Sequence, residues 1–152
     1  MAFGNSEVVD VLVAAGALVH DPAEAAGAGD IGGWLAPDTP AADRVRALRA
    51  AAVCERLSVI DLLLEAGTPV DAETDDSGRT ALHWAAYDGK PRAVRHLLAR
   101  GADPNRRERD HGSTPLGWCR FRHGQHLGYA AQGVGAVSER WGFAEVERIL
   151  ER

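Results

Sequence analysis

A period of 34 residues runs through the middle of this chain and restricts its fold more than any other feature. Five residues of one unit recur 34 positions later: Asp76, Gly78, Thr80, Leu82 and Trp84 become Asp110, Gly112, Thr114, Leu116 and Trp118. The same spacing relates Leu48, Ala51, Ala52, Leu63, Leu64 and Gly67 to Leu82, Ala85, Ala86, Leu97, Leu98 and Gly101. Repeats of this length arise when each unit buries its apolar face only against its neighbours, so the period predicts a stack of similar units.

Each unit closes on a short apolar segment that ends in glycine. These segments are Val8–Gly16, Val59–Gly67 and Ala93–Gly101, and Glu145–Leu150 repeats part of the pattern. Apolar residues at helical spacing followed by glycine predict a helix that ends on a left-handed residue. We therefore expect four outer helices, together with inner helices that begin near Pro40, Thr80 and Thr114. The first unit shows no inner helix, so we expect either a truncated stack or missing residues upstream.

The segment from Asp76 to Asn105 resembles one complete ankyrin repeat. Its residues Thr80–His83 match the T-P-L-H motif of that family, with Ala81 in place of proline. The resemblance covers residues 42–120 strongly and both ends weakly. It implies an all-α ankyrin-repeat solenoid of stacked helix-turn-helix units with β-turn fingers. It also implies that the motif's threonine and histidine form hydrogen bonds within their repeat and to the next one.

The repeats divide the chain into one domain that contains two insertions. In chain order they are a half repeat 1–20, an insertion 21–39, a repeat 40–75, a repeat 76–109 and a repeat with an internal insertion 110–152. The extra length is 17 residues in the first insertion and 18 in the second, which falls around 122–142. The first begins with Asp-Pro-Ala-Glu, which predicts a short helix at Asp21–Glu24. The second is rich in glycine and alanine, which predicts a loop or a short helix.

Three apolar residues of the first insertion, Ile31, Trp34 and Leu35, have two candidate roles. Because the first unit lacks an inner helix, something apolar must cover the open flank of the stack, so we expect a cap. The alternative makes Trp34 a lid over a pocket. The adjacent Gly27–Gly32 segment formally matches the dinucleotide motif G-x-G-x-x-G. No strand precedes it, so we expect turns rather than a nucleotide site.

Composition excludes several classes of function. The net charge of −5 argues against nucleic acid as a partner, and no apolar segment is long enough to predict a membrane span. The two cysteines, Cys54 and Cys119, make no disulfide framework and indicate a reducing cytoplasm. The N-terminal residues lack the basic region of a signal peptide. Lys90 is the only lysine among many arginines and alanines, a bias typical of a bacterial genome rich in G and C.

The resemblance implies that contact residues lie on the inner helices and the fingers. On the inner helices they are Trp84, Tyr87 and Asp88, with Trp118, Phe121 and Arg122 at the equivalent positions. On the fingers they are Ser77, Arg79, His111 and Ser113. The two tryptophans should lie side by side on neighbouring helices, either as packing between repeats or as an aromatic wall for a ligand. The remaining residues form either a contact surface or a plain solvated face.

A thiol and two imidazoles lie close together from Cys119 to His126. Their C-x₃-H-x₂-H spacing is not a standard zinc pattern, so we expect no metal. Cys119 replaces Ala85 of the preceding repeat and should be a buried packing residue. The neighbouring cations form a candidate anion pocket: Arg120, Arg122 and His123.

Two hypotheses for function follow. The resemblance implies a binding module without enzymatic activity or cofactor, usually with a protein as partner. The alternative is a cofactor-free acid/base enzyme of bacterial secondary metabolism, in which the insertions close over an apolar small molecule. Its chemistry would be a dehydration, an isomerisation or a ring-forming addition, as in a lyase or cyclase. His123 or Asp30 would act as the base, and Arg120 or Arg122 would stabilise an oxyanion.

Overall fold

A computed structural model describes residues 40–131 and 142–152 of the chain. Within these ranges it contains no strand and six helices: α1 (Ala41–Val53), α2 (Leu57–Glu65), α3 (Ala81–Tyr87), α4 (Pro91–Ala99), α5 (Pro115–Ala131) and α6 (Phe143–Leu150). The expectations for residues 1–39 fall outside the described residues. They concern the half repeat, the first insertion and its cap, and the two candidate site residues Asp30 and Trp34.

The helices form two layers of a stack. In the inner layer α3 packs between α1 and α5, and in the outer layer α4 contacts both α2 and α6. Each inner helix also packs against the outer helix that follows it in the chain. The expected all-α solenoid of stacked helix-turn-helix units is thus confirmed for the described part of the chain.

The three inner helices begin where the repeat pattern predicts. The first follows Pro40, the second follows Thr80, and the third begins at Pro115, one residue after Thr114. The second inner helix, α3, starts with a capping box, in which the backbone N–H of Thr80 donates to Nδ1 of His83 at 3.1 Å. A capping box satisfies backbone donors that have no partner inside the helix, which helps a helix of only 7 residues to form.

Residues with positive φ end the helices at equivalent positions of successive repeats. Gly67 and Gly101 follow α2 and α4 with φ of 92° and 91°, which confirms the predicted ends. Glu55 and Gly89 follow α1 and α3 with φ of 53° and 62°. Glycine adopts this left-handed conformation without a steric penalty, whereas Glu55 does not. Its carboxylate Oε1 accepts a hydrogen bond from the backbone N–H of Arg92 at 3.0 Å, which ties this turn to the next repeat.

The third inner helix is longer than predicted. The residue equivalent to Glu55 and Gly89 is His123, and the chain does not turn there, since α5 has 17 residues and α3 has 7. Of the two alternatives predicted around 122–142, a loop or a short helix, residues 122–131 adopt the helix as a continuation of α5, and residues 132–141 lie outside the described residues. The helix continues because the ring of His123 stacks on Phe143 of α6, with ring centroids 5.5 Å apart. Tertiary packing of this kind stabilises helices more than local propensity does.

The second described range begins at Gly142, which contacts the stack. The sixth helix starts at Phe143, 52 residues after Pro91 starts the fourth, and this distance is one period of 34 plus the 18 predicted extra residues. The backbone N–H of Gly142 donates to the carbonyl of Gly89 at 3.0 Å. A Cβ atom on Gly142 would lie 2.6 Å from Cδ of Pro91, so only glycine fits this contact without a shift.

The core is a band of small and branched apolar side chains between the two layers. Its fully buried members include Leu48 and Leu82 from the inner helices and Ile60, Leu97 and Val146 from the outer helices. Leu97 is fully buried, whereas the adjacent Leu98 is only partly buried against the core. None of the described helices is both long enough and apolar enough to cross a membrane.

Candidate binding face

Two finger loops lead into the second and third inner helices at the predicted positions. In the first finger the backbone N–H of Thr74 donates to the carbonyl of Arg79 at 2.7 Å. In the second the N–H of Glu108 donates to the carbonyl of Ser113 at 3.1 Å. These pairs are one period apart, so both loops close in the same way.

The two fingers are hydrogen-bonded to one another. The backbone N–H of Arg109 donates to the carbonyl of Ser77 at 2.7 Å, and the hydroxyl of Ser77 donates to Oδ2 of Asp110 at 2.5 Å. The guanidinium of Arg109 also reaches the carboxylate of Glu73 in the first finger. Ser77, predicted as a contact residue, therefore holds neighbouring fingers together.

Glu108 organises the second finger, and sequence analysis missed it. Its residue is 2% exposed, and its carboxylate accepts hydrogen bonds from the backbone N–H groups of Asp110, His111 and Ser113. Burial alone raises the pKa of this carboxyl, but the three donors outweigh burial and lower the pKa below its usual value. Ligand atoms of Glu108, Asp110 and His111 lie within 4.8 Å of one another. Because the Glu108 oxygens already bind backbone donors, we interpret this group as a turn anchor.

His83 connects the second repeat to the third, as the resemblance implies. Its Nδ1 accepts from the backbone N–H of Thr80, so Nε2 carries the proton and donates to the carbonyl of Ser113 at 3.3 Å. Burial lowers the pKa of the imidazole, although the contact with Ser113 opposes this effect. A neutral, fully hydrogen-bonded ring is a structural element rather than a catalytic base.

Guanidinium groups and indole rings alternate across the inner surface. The Arg49 guanidinium carbon lies 5.1 Å from the ring centroid of Trp84. The Arg79 guanidinium lies over two rings, 5.5 Å from the centroid of Trp84 and 4.7 Å from that of Trp118. Cations within about 6 Å of an indole face are attracted by the negative charge of that face. The two tryptophans are thus joined through Arg79.

Tyr87 provides a second connection between the tryptophans. Its ring centroid lies 6.3 Å from that of Trp84 and 5.1 Å from that of Trp118, with nearly perpendicular ring planes. The guanidinium of Arg122 lies 5.0 Å from the Tyr87 centroid. We call the set Arg49, Arg79, Trp84, Tyr87, Trp118 and Arg122 the aromatic–arginine face. It spans all three described inner helices and the first finger.

A shallow apolar depression borders the far side of this face. It has a volume of about 160 Å³ and is lined by His111, Ser113, Gly117, Trp118 and Phe121; we call it the Trp118 pocket. Phe121 is 58% exposed, although its equivalent in the preceding repeat, Tyr87, is half-buried between two tryptophans. An exposed aromatic ring beside a depression is typical of a contact surface.

Trp84 and Trp118 differ in one polar contact. Nε1 of Trp84 donates to Oγ1 of Thr74 at 2.9 Å. The residue equivalent to Thr74 is Glu108, whose carboxylate binds backbone N–H groups instead. In the described structure the buried Nε1 of Trp118 therefore has no acceptor. Fewer polar contacts hold Trp118 than hold Trp84.

Asp88 lies at the edge of the aromatic–arginine face. Burial raises the pKa of its carboxyl, while the positive charges of Lys90 and Arg122 act in the opposite direction. Arg122 hydrogen-bonds the side-chain amide of Gln125, and no ion pair of Arg122 occurs among the described residues. Asp88 and Arg122, predicted as equivalent contact positions of two successive repeats, are close enough for the charge of Arg122 to act on Asp88.

Two other predicted site residues, Arg120 and His123, pair with residues of α6 or just after it, and the predicted packing residue Cys119 lies beside them. Arg120 forms an ion pair with Glu151 at 2.6 Å, and Nδ1 of His123 lies 2.7 Å from Oε1 of Glu147. Cys119 is buried as predicted, and burial raises the pKa of its thiol to about 12. Two of the three cations of the expected anion pocket are thus already paired with carboxylates.

Known proteins share this architecture. A family model described as ankyrin repeats, with three copies, matches residues 1–108. A palmitoyltransferase of Drosophila melanogaster is 40% identical over 76 residues, which are 50% of this chain and 12% of the relative. An ankyrin repeat domain-containing protein of Stachybotrys chartarum is 48% identical over 44 residues, 29% of this chain and 2% of the relative.

A human relative, neurogenic locus notch homolog protein 4, is 46% identical over 54 residues. These residues are 36% of this chain and 3% of the relative. The chain therefore spans only a small part of the length of each of these relatives.

Proposed function

The chain belongs to the ankyrin-repeat family, and from this premise we propose that it is a binding module whose aromatic–arginine face holds a partner protein. Ankyrin repeats are generally modules for interaction between proteins. We place this module in a reducing cytoplasm, because Cys54 and Cys119 are both free thiols.

One observation carries this proposal: arginines and aromatic rings interleave without a break across three repeats. Tryptophan, tyrosine and arginine are the residue types that dominate binding energy at protein interfaces. They do so because each offers a large apolar area together with a polar or charged group. The rings of Trp84, Tyr87 and Trp118 are only half-buried, so part of each remains free to contact a partner.

Hydrogen bonds between the fingers and between successive repeats support the same proposal. Hydrogen bonds between the fingers and the link from His83 to Ser113 hold the face in one arrangement before any partner binds. A partner then binds without the loss of conformational entropy that ordering a flexible surface requires.

The described residues give less support to the acid/base enzyme. His123, its candidate base, is bonded to Glu147 and stacked on Phe143. The Trp118 pocket holds about 160 Å³, below the roughly 300–1,000 Å³ that is usual for small-molecule sites, and the larger depressions of about 370 and 530 Å³ are not lined by His123, Arg120 or Arg122. The volume of the Trp118 pocket suits one side chain of a protein partner better than a whole substrate.

Random peptides displayed on phage are a suitable probe, because their selection needs no knowledge of the natural partner. A peptide selected on the wild-type protein is titrated against Trp84→Leu and Trp118→Leu. Leu127→Ala is the matched control, since Leu127 is 51% exposed on α5 and lies outside the face. Urea unfolding of each variant is measured in parallel.

We expect both tryptophan variants to lose affinity by more than about tenfold, because aromatic anchors dominate binding energy. Their stability should fall by less than about 1.5 kcal/mol, since leucine retains much of the apolar volume. The affinity loss should be larger for Trp118→Leu, whose ring also borders the Trp118 pocket. Affinity and stability that decline in parallel, or a Trp118→Leu variant that binds normally, would contradict the proposal.

A further inference from the structure

We propose that the Trp118 pocket is a socket for the guanidinium group of an arginine that the partner protein presents. The inference rests on the proposed function and specifies the chemistry of the partner. It follows from a comparison of two equivalent positions in successive repeats, which differ in how many cations contact the indole ring.

Among the described residues, Trp84 contacts two guanidinium groups and Trp118 contacts one. Arg49 of α1 and Arg79 of the first finger both lie within 5.5 Å of the Trp84 centroid. Because Arg79 also contacts Trp118, it lies between the two indoles. The residue that follows Arg79 by one period of 34 is Ser113, whose side chain is too short to cover Trp118. Within the described residues, the series of alternating cations and rings therefore ends at Trp118, whose ring is partly exposed and also contacts the rings of Tyr87 and His111.

Two small residues create the space where the next cation would lie. Ser113 stands at the position of Arg79, and Gly117 stands at the position of His83. Both line the Trp118 pocket. Its volume of about 160 Å³ is close to that of a cavity that holds one benzene ring, roughly 150 Å³. The pocket therefore fits one flat group of the size of a guanidinium and the end of its aliphatic stem.

The aromatic part of the lining favours a cation. It consists of the rings of Trp118 and Phe121, whose faces carry negative charge, while His111, Ser113 and Gly117 complete the walls and the Arg79 guanidinium lies 4.7 Å from the Trp118 centroid. The carboxylate of Asp110, next to His111 of the pocket, is 48% exposed even though it pairs with Arg79 and accepts from the Ser77 hydroxyl. The chain as a whole has a net charge of −5, which attracts basic partners over longer distances.

Guanidinium suits this pocket better than ammonium does. It is flat, stacks on aromatic faces and is less strongly hydrated, so less hydration energy is lost when it enters an apolar pocket. Arg79 shows this arrangement in the preceding repeat, where its guanidinium lies over indole rings and pairs with Asp110. The partner's arginine would extend the same arrangement by one position.

A substitution within the chain tests the pocket without any partner. Ser113→Arg places a guanidinium at the position of Arg79, and Ser113→Met adds a side chain of similar length without charge. If the pocket favours guanidinium, Ser113→Arg should melt roughly 2–4 °C above Ser113→Met. A Ser113→Met variant that melts at the same temperature as Ser113→Arg, or above it, would show a merely apolar depression and overturn the proposal.

The selected phage peptides test the partner's chemistry. We expect them to share an arginine whose replacement by alanine weakens binding to the wild type at least tenfold. Replacement by lysine or phenylalanine should weaken it as well. Ser113→Arg, which fills the pocket, should lose the arginine-dependent affinity. Ala144→Arg adds the same charge at an exposed position of α6 and should keep that affinity.

The other outcomes separate the two proposals. Peptides that bind through Trp84 and Trp118, yet need no arginine and ignore Ser113→Arg, would overturn the socket and leave the binding module intact. A phenylalanine peptide that binds as tightly as the arginine peptide would also overturn the socket. Peptides that bind Trp84→Leu and Trp118→Leu as tightly as they bind the wild type would remove the basis of both proposals.

Discussion

Replacing Gly142 by alanine should destabilise the protein for a reason that sequence alone does not reveal. Gly142 has φ of −76°, a negative value that alanine also adopts, so the backbone conformation itself does not exclude a side chain. The obstacle is the start of α4. An added Cβ atom would lie 2.6 Å from Cδ and 2.7 Å from Cγ of Pro91, and 3.1 Å from the carbonyl oxygen of Gly89.

These distances set the expected magnitude. Carbon atoms in contact normally lie about 3.5–4.0 Å apart, so the new methyl group overlaps the proline ring by roughly 1 Å. The ring of Pro91 cannot rotate away as a flexible side chain can. Overpacking of this kind costs about 1–3 kcal/mol. Alanine also lowers the conformational entropy of the unfolded chain, which stabilises the protein by about 0.4–1 kcal/mol. We therefore expect the free energy of unfolding to fall by about 1–2 kcal/mol.

Gly124→Ala is the matched control, because it makes the same chemical change in open space. A Cβ atom on Gly124 would have no neighbour within 4 Å, and the residue lies inside α5. Alanine is about 0.5–1 kcal/mol more favourable than glycine in a helix interior, so this variant should gain stability. Urea unfolding followed by circular dichroism gives both free energies of unfolding.

The two alanine variants should change the free energy of unfolding in opposite directions. A Gly142→Ala variant as stable as the wild type would show that α4 and α6 do not approach each other as closely as described. A loss of stability in Gly124→Ala would mean that α5 does not continue through residues 122–131.

Three further variants test the core and the link between repeats. Leu97→Ala should cost about 2–5 kcal/mol, and Leu98→Ala clearly less, because only Leu97 is fully buried; equal losses in urea unfolding would reject this assignment. Burial lowers the pKa of His83 below 6.5, so the neutral ring contributes stability above pH 6.5, and this contribution is lost as pH falls through the lowered pKa. The free energy of unfolding should therefore fall below pH 6.5 more steeply in the wild type than in His83→Asn, and identical slopes would refute this link.

The repeat period predicted the helix boundaries because it records local chemistry. Thr80 and Thr114 precede inner helices since threonine caps a helix start, and Gly67 and Gly101 end outer helices since glycine adopts positive φ. Each of these preferences acts over a few residues. A pattern in the sequence therefore located them without knowledge of the packing.

The extension of α5 could not be predicted in this way. Gly124 and Gly128 lower helix propensity, and the segment rich in glycine and alanine predicted a loop or a short helix. The contact that overrides them joins His123 to Phe143, across a distance of 20 residues in the chain. Such a contact leaves no periodic signal in the sequence.

The sequence indicated which residues lie on the candidate face, but not how their side chains are arranged. Trp84, Tyr87 and Trp118 were expected on one surface, whereas the position of Arg79 between the tryptophans depends on side-chain rotamers. Arg49 was missed as a site residue. It occupies the position of His83 in the first described repeat, and this departure from the motif was the available signal.

The extra length of α5 has a mechanical consequence. Ten residues at a rise of about 1.5 Å per residue carry the chain roughly 15 Å past the point at which the other inner helices turn. A helix is stiff over this distance, unlike a flexible tether of the same length. A continuous helix therefore joins Trp118 to Ala131 and sets the direction of the chain between them. Lengthening or shortening α5 by one residue would rotate that end by about 100° around the helix axis, whereas one residue more or less in a flexible loop would change little.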